Sequence, residues 1–129
     1  MQQKFLQTAA LMGAIAVILG AFGAHALKQM LSEKSLGIFE TAVRYQLYHV
    51  FALLVTGILY REFTNNLLLW AGRLFITGIV LFSGSLYVLT FINTAEHENF
   101  KWIGAITPLG GVCFIVAWIL IFVGVTKKN

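Results

Sequence analysis

The chain has 129 residues, enough for one domain, with 59% hydrophobic and only 11% charged residues. A soluble domain carries about a quarter charged residues and exposes much of its surface, so this composition excludes a water-soluble globule and points to lipid as the solvent. The net charge of +4 comes from lysines and arginines at the ends and in loops, without a basic stripe interleaved with aromatics, which excludes a nucleic-acid partner and suits anionic lipid headgroups.

Four apolar segments follow in order, at about 5–26, 38–60, 67–92 and 102–125, each with the roughly 20 residues that cross a bilayer. The expectation is an all-α integral membrane protein: one transmembrane domain over 1–129, four helices in an antiparallel bundle joined by short polar loops. In the first segment, "AALMGAIAVILGAFGAHAL", Ala16, Gly20 and Ala24 recur at four-residue spacing, with Ala9 and Gly13 on a nearby face. Small residues so spaced let helix backbones approach closely. Ala24-His25-Ala26 mimics a signal-peptidase site, but the apolar stretch exceeds the usual signal core, so a retained helix is expected.

The second segment opens with "ETAVRYQLYH", residues 40–49. Two readings of it stand side by side. In one, Gly37 is the N-cap, Glu40 holds the capping-box position and Arg44 neutralises it one turn on. In the other, the deeper groups belong to a buried site. His49 lies about 13 Å along the axis from Glu40, and Tyr45, Tyr48 and His49 fall on one side. Polar groups at that depth are expected to face the bundle.

The third segment places Ser83 and Ser85 in "LFSGSLY" at mid-span, with Gly72, Gly78 and Gly84 as a small face. The fourth carries "TPLGG": either Pro108 lies inside a continuous kinked helix, or Thr107 caps a helix that starts at Pro108. Gly104, Gly110, Gly111 and Gly124 give it a packing face. His25, Glu40, Arg44, Tyr45, Tyr48, His49, Ser83, Ser85 and Thr107 are therefore the candidate polar network, structural or ligand-binding. The histidines lack metal-ligand spacing, and the one cysteine, Cys113, excludes an intramolecular disulfide. His97 between two acids reads as a solvated loop. No metal, cofactor or catalytic constellation is expected. A serine nucleophile would require Ser83 or Ser85 in contact with His49.

Lys4, Arg61, Lys127 and Lys128 gather on one side with Arg73 just inside the third span, which favours both termini in the cytoplasm. "GAFGAHAL", "ETAVRYQLYH", "LFSGSLY" and "GAITPLGG", in that order over nearly the whole chain, resemble the YgdD/YwdK family of small bacterial membrane proteins. The resemblance maps its blocks onto Gly20, Gly23, His25, Glu40, Tyr45, Gln46, His49, Ser83, Gly84, Ser85, Tyr87, Thr107, Pro108 and Gly110. It implies a four-helix inner-membrane protein and no defined activity. The charged "EHENFK" departs from the pattern. The leading functional expectation is a structural or accessory membrane subunit, a homo-oligomer or the companion of another membrane protein. The alternative is a transporter or channel for a small solute or protons.

Overall fold

Hydrocarbon offers no water to backbone amides, so an apolar segment in a bilayer closes its own hydrogen bonds as a helix. The computed structural model describes residues 1–94 and 102–127, and every regular element among them is helical. In chain order these are α1 (Gln2–Val17), a π-helical segment π1 (Ile18–Gly23), α2 (Ala24–Leu27), α3 (Glu33–Glu62), α4 (Asn66–Gly78), π2 (Ile79–Ser83), α5 (Gly84–Thr94) and α6 (Ile103–Thr126). The π segments widen the helices without ending them. Among the described residues there are thus four continuous rods long and apolar enough to cross a membrane: Gln2–Leu27, Glu33–Glu62, Asn66–Ile92 and Ile103–Thr126. The segment holding Glu96, His97 and Glu98 lies outside the described residues.

Two helix starts differ from, or decide between, the sequence expectations. α3 begins at Glu33, not near residue 38, because Ser32 is its N-cap and accepts a hydrogen bond from the Ser35 N–H at 3.2 Å. Gly37 is therefore inside the helix, and Glu40 sits beyond the first turn, where the end charge of the helix has faded. Glu33 occupies the favoured first-turn position instead. In α6 the helix runs through Pro108 from Ile103, so Thr107 is not a cap. The proline lacks the N–H that would bond the Gly104 carbonyl.

α3 packs along α1 on one side and along the α4–π2–α5 rod on the other, and α6 packs along the far side of that rod. The core runs through Phe5, Ala9, Leu53, Phe75, Phe114 and Ala117, among others. Asn65 ties one end together: its carbonyl caps α4 at the Leu68 N–H (3.0 Å), and its amide donates to the Gly124 carbonyl of α6 at 3.1 Å. The first and last rods turn broad apolar faces outward, with Ile18 and Phe22 exposed on one and Ile119 and Phe122 on the other. Such faces are at home against lipid tails, which are as apolar as leucine.

Small residues set the distances between rods. A Cβ at Gly13, Gly20 or Gly23 would come within 3.3 Å of Val50, 3.1 Å of Val43 or 3.0 Å of Phe39, all on α3. Ala16 is fully buried on the same rod. Gly78 lies against Phe114 of α6, Gly110 lies against the Phe82 backbone, and Gly72 makes room for the Phe5 ring. Gly84 opens onto space, and Gly111 makes only ordinary contact, 3.9 Å from Phe82.

Candidate functional site

One stretch of α3 organises the polar interior. Phe39 and Val43 face Gly23 and Gly20 of π1, and the carbonyl of Ala42 accepts a hydrogen bond from Ser83, the last residue of π2, at 2.7 Å. Both π segments therefore flank the same part of α3. Such segments are frequent at functional sites.

Just beyond lies Gln46, which is buried. Its amide donates to the Met12 carbonyl of α1 at 2.8 Å and its carbonyl oxygen accepts from the Tyr87 hydroxyl of α5 at 2.6 Å. One side chain thereby joins three rods. A second link joins the third rod to the fourth: Ser85 and Thr107 are 2.5 Å apart. Ser85 donates its hydrogen to the Phe82 carbonyl at 2.9 Å, so Thr107 is the donor between the two hydroxyls.

His49 is enclosed by aromatic rings. It stacks on Phe114 with centroids 3.5 Å apart and planes 6° from parallel, and Phe75, Tyr45 and Trp118 complete the surround. Its Nδ1 lies 2.8 Å from the Tyr45 carbonyl, which can only accept. Its Nε2 lies 3.3 Å from the Trp118 indole N–H, which can only donate. The partners assign the neutral tautomer with the hydrogen on Nδ1. Every buried side-chain nitrogen or oxygen among the described residues has a partner.

The residues singled out in the sequence thus divide. His49, Ser83 and Ser85 are buried and Thr107 is half-buried, in separate links rather than one network. Neither serine bonds His49, so the nucleophile–base contact that acyl transfer requires is not among the hydrogen bonds of the described residues. His25, Glu40, Arg44, Tyr45 and Tyr48 stand at the surface. Tyr45 lies over Phe82 at 4.6 Å. Glu40 and Arg44 line an open groove of about 310 Å³ between π1 and α3, with Gly20, Phe39, Val43 and Leu47.

Gln46 and Tyr87, which the family resemblance marks but the candidate polar network omits, belong to these links, and so does Trp118, which the sequence does not mark. Gln46 had a signal: it is three residues before His49, hence on the same face of the helix. Tyr87 follows Ser83 by one turn. Nothing in the sequence around Trp118 marks it as a partner for His49.

Four apolar rods pinned by internal polar links and bare of any strand among the described residues define a small multi-pass helical membrane protein. The model of the family described as "Protein of unknown function (DUF423)" matches residues 19–111, and the chain belongs to that family. Among its relatives, a UPF0382 membrane protein of Staphylococcus saprophyticus is 45% identical over 95% of this chain and 97% of its own length. The UPF0382 membrane protein YwdK of Bacillus subtilis is 42% identical over 95% and 96% of the two chains, and one from Staphylococcus epidermidis is 43% identical over 95% of each. No solved structure matches.

Proposed function

We propose that the protein is a non-catalytic membrane subunit that works through its helix surfaces, assembling with copies of itself or with another membrane protein. The observation that carries this reading is the closed polar interior: Gln46, His49, Ser83, Ser85 and Thr107 bond one another's rods or backbone carbonyls, and what the molecule presents outward is surface. Transport, the alternative, would call on Glu40, Arg44 and His49 along one route. The two charges stand outside the bundle, and His49 is walled in by rings. The whole chain is read as a single transmembrane domain in a bacterial inner membrane, with both termini in the cytoplasm. Lys4, Arg61, Arg73 and Lys127 at one end support that orientation by the positive-inside rule.

The test is the native mass and composition of the complex, gently extracted at native expression level. A homo-oligomer or a stoichiometric second protein is expected. A lone 14.3 kDa chain with lipid and detergent only would overturn the reading. Labelling of single cysteines placed at residues 2 and 63 from the cytoplasmic side only is the expected topology result.

A further inference from the structure

We propose that the groove between π1 and α3 seats the headgroup of one zwitterionic phospholipid with a primary ammonium, its phosphate on Arg44 and its ammonium on Glu40. The position of the groove comes first. Counting back from Arg61, about 20 residues of helix fill the roughly 30 Å of hydrocarbon and reach Thr41. Glu40 then stands at the hydrocarbon boundary and Arg44 about 6 Å, one helical turn, inside it. A charge at that depth ordinarily finds a partner.

Among the described residues neither has one. Both are exposed, and neither makes a hydrogen bond or ion pair among the described residues. They are one turn apart on the same face, yet they do not pair with each other. The two opposite charges are therefore available to a ligand that carries both signs at a similar separation.

The order of groups along the groove matches that of a phospholipid. Glu40 is outermost, Arg44 lies below it, and Val43 and Leu47 form the apolar wall. Deeper still, Tyr48, Phe51, Val55 and Ile58 continue as an exposed apolar stripe of α3, a track for an acyl chain. Arginine suits phosphate because its planar fork donates two parallel hydrogen bonds. A carboxylate suits a primary ammonium, which donates N–H bonds, and not a quaternary one, which has none. Gly20 lines the opposite wall, where its missing side chain lets Val43 of α3 come close. The volume of about 310 Å³ is roughly ten times a water's share of the liquid, more than enough to admit a phosphoethanolamine group.

The experiment titrates the full-length protein, delipidated in mild detergent, with phosphatidylethanolamine, phosphatidylcholine and phosphatidylglycerol of identical acyl chains, and reads retained lipid by native mass spectrometry. One phosphatidylethanolamine per chain is expected, held about tenfold more tightly than the other two, the size of one charged hydrogen bond. Arg44→Ala is expected to weaken phosphatidylethanolamine and phosphatidylglycerol alike by about tenfold. Glu40→Gln is expected to erase the preference for phosphatidylethanolamine and leave phosphatidylglycerol unchanged. Both variants should keep the unfolding midpoint of the parent, since neither side chain makes a bond to another described residue. Equal retention of the three lipids, or retention indifferent to both substitutions, would overturn the proposal. So would a lipid-free dimer that Glu40→Arg dissociates, because the occupant would then be a second copy.

Discussion

Adjacent glycines in α6 should respond oppositely to the same substitution. Gly→Ala within a helix gains up to about 1 kcal/mol from backbone entropy, and that gain is common to Gly110 and Gly111. At Gly111 the new methyl would stand 3.9 Å from the Phe82 ring, an ordinary contact. At Gly110 it would fall 2.8 Å from the Phe82 Cα and Cβ and closer still to its amide nitrogen. That neighbour is backbone inside π2 and cannot swing aside, so the two rods must separate. Overpacking of this kind costs about 1–3 kcal/mol. Because the propensity gain cancels between the variants, Gly110→Ala should be less stable than Gly111→Ala by about that amount. Reversible unfolding in mixed micelles of mild and denaturing detergent measures it. Trp118, 5.3 Å from Phe75 across the same pair of rods, is the fluorescent reporter. Two variants within about 0.5 kcal/mol of each other, the spread of ordinary surface changes, would refute the close approach.

Three further outcomes follow from the interior. Gln46→Leu and Tyr87→Phe should each lower stability. Their double-mutant cycle should show a coupling of about 0.6 kcal/mol and at most about 1.7, the average and maximum for hydrogen bonds between membrane helices; strictly additive effects would mean the 2.6 Å bond contributes nothing. His49→Ala removes the ring stacked on Phe114 and the acceptor for Trp118. The near-UV circular dichroism of the tryptophans should change while the helical far-UV signal persists, at a stability cost of about 0.5–1.5 kcal/mol for the lost stack; an unaltered near-UV spectrum speaks against the enclosure. Gly72→Ala collides with the Phe5 ring, so Phe5→Leu in the same chain should restore part of the lost stability, and simple addition of the two losses would sink that pairing.

The spans were legible because crossing a bilayer depends on apolar length, a property of one segment at a time. The start of α3 was not, because a helix need not end where hydrocarbon ends: Ser32 caps it in the polar zone, outside the apolar window. The decad from Glu40 to His49 supports both a helix-start reading and a single buried network, yet at about 100° per residue Glu40 and His49 point about 180° apart. Both faces carry polar groups, and only the neighbouring rods decide which turns inward. Gln46 and His49 face the bundle, whereas Glu40 and Arg44 face the groove. The π segments left no mark in "ILGAFG" or "IVLFS", since a widened turn is favoured only when adjacent helices accommodate it.

These placements also explain how so apolar a chain specifies one arrangement. Lipid tails compete evenly with apolar side chains for a helix surface, so apolarity alone cannot choose neighbours or register. Glycines choose distance: Gly20 and Gly23 bring α3 against π1, and Gly110 brings α6 against π2. Polar links choose register, because a bond such as Gln46 to Met12 or Ser83 to Ala42 fails if a rod slides by one residue. The Ser85–Thr107 pair does the same for the fourth rod. Once those groups have satisfied one another, Glu40 and Arg44 are two charges that, among the described residues, contribute to neither task. Their place on an open groove therefore bears on what lies outside the chain, not on how the chain folds.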